Sequence, residues 1–129
     1  MHIPTKMRAM KESDENYVRK TWVKNFLNEG RGLHKDKRKA KVEKSWPTLS
    51  KHITLAVLPQ DEDIIVGWMC ANSPFLYYIY VRERYRGRGI ASSLFKSQNL
   101  NREGIVRCPF WTKSAKDIQT THPQFRRVS

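Results

Sequence analysis

A chain of 129 residues in which 25 Lys and Arg face 12 Asp and Glu carries a formal net charge of +13. That length suits one folded domain that buries on the order of two thirds of its unfolded surface, with no room for a second catalytic domain. Two cysteines in apolar surroundings and four scattered histidines argue against a disulfide framework or a metal site, and no apolar run is long enough to span a bilayer.

The opening residues 1–8 lack the apolar core of a signal peptide. With Cys70 and Cys108 expected as reduced thiols, the reading is a cytoplasmic protein. The positive field steers acidic partners, whether nucleic acid, ribosomes, acidic proteins or a polyanionic cofactor. Plain solubility is the bland alternative, and charge alone does not choose.

In chain order, residues 4–10 are a candidate first strand with poor alternation. Ser13 reads as an N-cap with Asp14 and Glu15 in the first turn, where the helix dipole favours negative charge. Val18, Trp22 and Phe26 recur every four residues, flanked by Tyr17 and Leu27, which predicts a helix ended by Gly30 and Gly32. The basic stretch holding Arg31, Lys35, Lys37, Arg38, Lys39, Lys41 and Lys44 has a thin apolar stripe at Val42 and Trp46. It predicts a second helix up to Ser45, with Pro47 preventing continuation.

Residues 53–58 and 64–70 read as buried strands joined by a turn over 59–63, and Asn72, Ser73 and Pro74 make the next turn. Residues 75–81 supply the third strand of an antiparallel meander covered on both faces, because the alternation is weak. On that strand Tyr78 and Tyr80 should face one side, Tyr77 and Ile79 the other. Ile90, Ala91, Leu94 and Phe95 then share one face of a helix that must lie on the sheet, closed by residues 99–104. A strand over 105–110 would be parallel to the one before the helix. Ser114 to Asp117 has capping-box spacing for a short last helix, and residues 125–128 form a candidate final strand.

The chain is organised around the turn between the third strand and that helix. Gly87 and Gly89 let successive N–H groups converge where the helix dipole begins, with Arg84, Arg86 and Arg88 around them, so the turn attracts anions. It is neither a Walker loop nor G-x-G-x-x-G. An Arg-Gly segment with loose affinity for nucleic acid is the simpler alternative, but such segments are usually disordered and this one is flanked by apolar sequence.

The spacing Arg84-Tyr85-Arg86-Gly87-Arg88-Gly89, followed by Ile90-Ala91 and preceded by a strand ending Tyr80-Val81-Arg82, resembles the coenzyme A loop of the GNAT superfamily of N-acetyltransferases. The order of elements resembles that family's, shortened at the end. Brevity and basicity further resemble compact GNAT-like proteins encoded by bacteriophages. The resemblance implies an α/β (α+β) fold: a mixed central sheet, an antiparallel meander plus one parallel strand pair, flanked by helices. It also implies a bulge in the strand before the loop, which splays that strand from the next and opens a V-shaped slot. Backbone groups of Ile79, Tyr80 and Val81 would then hold the pantetheine arm of acetyl-CoA. The amides from Arg84 through Arg86, Gly87, Arg88, Gly89 and Ile90, with Ala91 behind them, would hold its pyrophosphate. No metal is implied.

Acetyl transfer to an amine needs a neutral nucleophile, a polarised thioester carbonyl and a proton for the leaving thiolate. Candidate bases at the strand end are Glu83, Tyr78 and Tyr80, although Glu83 reads more simply as a solvated ion pair and the tyrosines as core or slot-lining aromatics. Many GNAT enzymes place a tyrosine on the last helix as proton donor, and this chain has none after Tyr85. Ser114, Thr112, His122 and Cys108 are the substitutes, each read more simply as a cap, a turn residue or a packed side chain, and solvent can also protonate a thiolate while proximity supplies acceleration. In a protein of that fold the basic second helix would border the acceptor entrance, where a basic wall favours an acidic or nucleic-acid-associated acceptor; a solvated face with no ligand is the equal alternative. The expectation is an N-acetyltransferase acting on a primary amine. The alternative is a catalytically weak binding protein whose basic surface engages a host protein or nucleic acid.

Overall fold

The structure, a computed structural model, describes residues 3–29, 35–72, 75–98, 106–108 and 125–127. Its strands form one sheet in the order β1 (Lys6–Ala9), β2 (Ile53–Leu58), β3 (Asp61–Asn72), β4 (Phe75–Val81), β5 (Val106–Cys108) and β6 (Phe125–Arg127). The first four pair antiparallel, β2, β3 and β4 being joined by short connections, while β4–β5 and β5–β6 are parallel. Helices α1 (Glu15–Glu29) and α2 (Lys35–Leu49) cover one face and α3 (Ile90–Ser97) the other.

Each sheet face owns a core. On the α1–α2 side, Val18, Trp22, Val42, Trp46 and Leu49 pack on Leu55, Val57, Trp68 and Tyr78. Trp22 is its hub, with ring centroids 5.4 Å from Trp68, 5.6 Å from Tyr78 and 6.2 Å from Trp46. Each such aromatic pair adds about 0.5–1.5 kcal/mol beyond area burial. On the other side Ile90, Leu94 and Phe95 of α3 pack on Ala56, Val66, Met69, Leu76 and Ile79. The stripe at Ile90, Leu94 and Phe95 thus buries the helix face that its spacing predicts.

Several boundaries differ from the sequence reading. The first strand is shorter than residues 4–10, and α2 runs through Pro47 to Leu49. The exposed proline loses one helical bond, but Val42, Trp46 and Leu49 sit four and three residues apart and are all buried, which offsets that loss. Ser13 is not an N-cap; it lies inside a 3-10 turn, Glu12–Asp14. The capping is done by Asp14, whose Oδ2 accepts the Lys11 N–H at 2.9 Å. The ends expected at Gly30–Gly32 and over 99–104 lie outside the described residues, as does the helix at Ser114.

The hairpin turn is only Pro59-Gln60, and Asp61, Glu62 and Asp63 belong to β3. They are held there from β1: Lys6 Nζ lies 3.2 Å from Glu62 Oε2, and Arg8 Nη2 donates to the Glu62 carbonyl at 2.9 Å. Arg8 also forms a two-pronged pair with buried Asp14, Nη1 to Oδ2 at 2.7 Å and Nη2 to Oδ1 at 3.2 Å. One guanidinium therefore ties the edge strand, the turn into α1 and the start of β3 together.

Tyr77 does not share a side with Ile79. In the β3–β4 ladder Cys70 pairs Tyr78 and Ala71 pairs Leu76, so Tyr77 is an extra residue. This bulge turns Tyr77 toward the same core as Tyr78 and Tyr80, and leaves Leu76, Ile79 and Val81 to the α3 side.

Candidate functional site

The antiparallel ladder decides which backbone groups of β4 are available. Arg82 N–H donates to the Val66 carbonyl at 2.9 Å, and Gly67 opposes Val81. Alternate residues of an antiparallel strand point their N–H and C=O toward and away from the partner. Tyr80 therefore bonds to β3, while Ile79 and Val81 aim their polar groups at the opposite side. On that side β5 is in register with β4 only at Phe75↔Arg107 among the described residues, on the far side of the Tyr77 bulge. Among the described residues no strand pairs with the end carrying Ile79 and Val81, whose outward peptide groups point away from β3.

Beyond Val81 the chain turns sharply. A 3-10 turn, Glu83–Tyr85, is closed by Tyr85 N–H on the Arg82 carbonyl at 2.8 Å and Arg86 N–H on the Glu83 carbonyl at 3.2 Å. Gly87 (φ 75°) and Gly89 (φ 80°) then adopt the left-handed region, which side chains resist. Gly89 is the N-cap of α3 and offers no side chain, so the first N–H groups of the helix are left without the usual capping oxygen. Uncapped amides at the positive end of a helix form an anion site.

Two contacts hold the turn in place. Arg86 reaches back so that its Nε donates to the Val81 carbonyl at 2.9 Å, and the Ile3 N–H donates to the Arg88 carbonyl at 3.3 Å. Arg82 and Arg84 lie 5.9 and 5.6 Å from the centre of the Tyr85 ring. Arg84 and Arg88 are exposed and add positive charge around the amides. Ala91 is half-buried one residue into α3, behind buried Ile90.

The candidate catalytic residues are not gathered into one cluster. Glu83 is exposed and takes no part in the ion pairs found among the described residues, Lys6–Glu62 and Arg8–Asp14. Tyr80 is half-buried on the α1 side, 6.3 Å from the Trp68 ring centre. There it meets Tyr17, whose hydroxyl is pushed above its ordinary value chiefly by burial, then by Tyr80, with Arg82 opposing. The sequence reading missed Tyr17 as a site residue, although its place beside the Val18–Trp22 stripe was visible. Ser114, Thr112 and His122 lie outside the described residues. Tyr78 is a buried core side chain stacked on Trp22.

No group of three or more His, Cys, Asp or Glu that could hold a metal occurs among the described residues, and no helix there is long and apolar enough to cross a membrane. Cys70 is a buried free thiol, its Sγ 3.2 Å from the Leu49 carbonyl, and burial pushes it up to about 12. A groove of about 590 Å³ between Arg8, Lys51, His52, Asn72 and Gln98 lies at the opposite end of the sheet from the turn.

No protein-family model and no curated protein matches the sequence. Solved structures do match in shape. A GCN5-related N-acetyltransferase from Rhodopseudomonas palustris aligns over 95% of this chain and 82% of its own, with a TM-score of 0.65 at 12% identity. A histone acetyltransferase HPA2 and related acetyltransferase from Corynebacterium glutamicum aligns over 94% and 83%, with a TM-score of 0.58 at 16% identity. The NatC complex bound to Gag peptide and CoA aligns over 93% of this chain and 70% of that one, with a TM-score of 0.52 at 12% identity. The chain has the GNAT fold.

Proposed function

On that fold, we propose that this single-domain protein is an acetyl-CoA-dependent N-acetyltransferase that moves acetyl directly to a primary amine in the cytoplasm. One observation carries the reading: a turn with two left-handed glycines delivers uncapped α3 amides beside a strand end whose outward peptide groups pair with no strand among the described residues. Pyrophosphate suits the amides of the turn, with Arg84 and Arg88 supplying charge. An extended pantetheine arm suits the outward N–H and C=O of Ile79 and the outward N–H of Val81, as an added strand would. Arg86 occupies the Val81 carbonyl and so fixes the angle between strand and turn.

In the transfer step the amine nitrogen attacks the thioester carbonyl carbon, the C–S bond breaks, and the thiolate leaves with its electron pair. The amine must first lose an ammonium proton and the thiolate must gain one. Glu83, through water, and Tyr80, backed by Tyr17, are the residues offered for the first proton, and Ser114 for the second. Proximity of two bound reactants supplies the rest. The coenzyme in the NatC structure supports this assignment of ligand by analogy of fold.

The test is a thermal-shift titration with coenzyme A followed by thiol-release assays with a panel of amines. A ligand at 100 times its Kd should stabilise the folded form by about 2.7 kcal/mol. Saturable stabilisation with thiol release supports the enzyme. Stabilisation without release on any amine supports the alternative, a coenzyme-binding scaffold that acts as a binder. No stabilisation overturns both.

A further inference from the structure

Helices α1 and α2 pack on the same face of the sheet, so their outward sides make one continuous surface. Lys20 and Lys24 each follow a buried residue, Val18 and Trp22, by two positions, which turns them about 200° away from the core. Lys44 stands in the same relation to buried Val42, and Lys37 lies two helical turns earlier on the same side as Lys44. All four are exposed, as is Arg19, whose guanidinium lies 5.7 Å from the centre of the Trp46 ring and bridges from α1 to α2. The groove between the helices, about 570 Å³, is lined by Asn16, Arg19, Lys20, Val23, Lys24 and Glu43. Glu43 is an exposed carboxylate beside these cations.

We infer that this α1–α2 surface is a docking face for the phosphate backbone of a nucleic-acid duplex, read without regard to sequence. Three features select that partner. The cations sit at fixed positions on rigid helices, a few to about 10 Å apart along each axis, which suits a regular rod of phosphates better than a flexible acidic peptide. Of the rings on these helices whose exposure is described, Trp22 and Trp46 are buried and Tyr17 is half-buried, so none of the three is fully offered to solvent. Single-strand binders rely on such rings to stack bases, so a duplex is favoured over a single strand. Finally, the cations are mostly lysines, point charges suited to phosphate contact and not to bidentate reading of base edges. The surface lies on the opposite side of the sheet from α3, so it is separate from the anion site at the turn.

The experiment is fluorescence anisotropy of a labelled 20-base-pair duplex of arbitrary sequence, titrated with the full chain across a salt series; about five phosphate contacts give a slope of log K against log salt of about −4.5. The triple variant Lys20→Glu, Lys24→Glu, Lys44→Glu should bind at least tenfold more weakly and with a shallower slope, and Lys→Gln replacements should fall between. Circular dichroism and an unchanged coenzyme A thermal shift would show that the variants fold. Excess coenzyme A should not displace the duplex. Unaltered affinity in the triple variant, displacement by coenzyme A, tighter binding of a single strand, or equal competition by polyglutamate at matched charge would each overturn the proposal. Because the duplex titration needs no acetyl-CoA, it can succeed where the acetyltransferase reading fails, and the reverse.

Discussion

Gly67 of β3 lies directly beneath Ile90, the first residue of α3: a Cβ added to the glycine would stand 3.2 Å from Ile90 Cγ2 and 2.8 Å from the Tyr80 carbonyl oxygen. The sheet can therefore bring the helix start this close only where it has no side chain. A backbone oxygen at 2.8 Å cannot swing aside, so Gly67→Ala must move β4, α3 or both. The expected cost is about 1–3 kcal/mol, read as a lower urea midpoint, with a smaller coenzyme A thermal shift because the helix start is displaced. Wild-type stability and ligand response in Gly67→Ala would refute the contact.

Gly87 makes a contrasting case. A Cβ there meets nothing within 4 Å, yet its φ is 75°. Its requirement is conformational, so Gly87→Val should cost more than Gly87→Asn, which tolerates the left-handed region, and Gly87→Ala should cost about 1–2 kcal/mol. Calorimetry should show coenzyme A affinity falling in the order Asn, Ala, Val. Equal affinity for all three would remove the turn from the binding site.

The Arg8–Asp14 pair predicts an acid limb. The Asp14 carboxyl is held below its ordinary 3.8, chiefly by the bond from Arg8, with burial opposing and the Lys11 N–H assisting. A carboxylate depressed in the folded state contributes stability that is fully present above its unfolded pKa and is lost as pH falls through the folded one. Unfolding free energy should therefore decline below about pH 4. Asp14→Asn removes the main counter-charge of a part-buried guanidinium and should cost about 1–3 kcal/mol at neutral pH while flattening that decline. Denaturant melts at a series of pH values check both statements.

Cys70 should be chemically silent. With its thiol pushed up to about 12 by burial, almost no thiolate exists near neutrality. In a Cys108→Ser background, Ellman's reagent should react at the unfolding rate and at full extent only in denaturant. Fast reaction of the native protein would contradict the packing of Cys70 against Leu49.

What was legible in the sequence was whatever depends on neighbours along the chain. The Val18–Trp22 stripe, the β2 run, the α3 face and the two glycines of the turn are local patterns, and each stands in the structure where its spacing put it. The errors concern partners distant in sequence. Pro47 is a local stop signal, overridden because Leu49 finds a place in the core. Asp61, Glu62 and Asp63 have turn-like composition, but Lys6 and Arg8 of β1 keep them in a strand. The meeting of Tyr17 with Tyr80 needs α1 to cross the end of β4, and no spacing records that.

The surplus tyrosine at position 77 has a consequence for how this strand can change. Leu76 and Tyr78 already stand on opposite sides of the sheet, as neighbours in a regular strand do, so removing residue 77 would let the Ala71–Leu76 and Cys70–Tyr78 pairs follow one another directly and leave both cores their occupants. What deletion removes is the local bend and added twist of the strand. A variant lacking the residue should therefore keep its fold, and its loss should appear first in coenzyme A affinity.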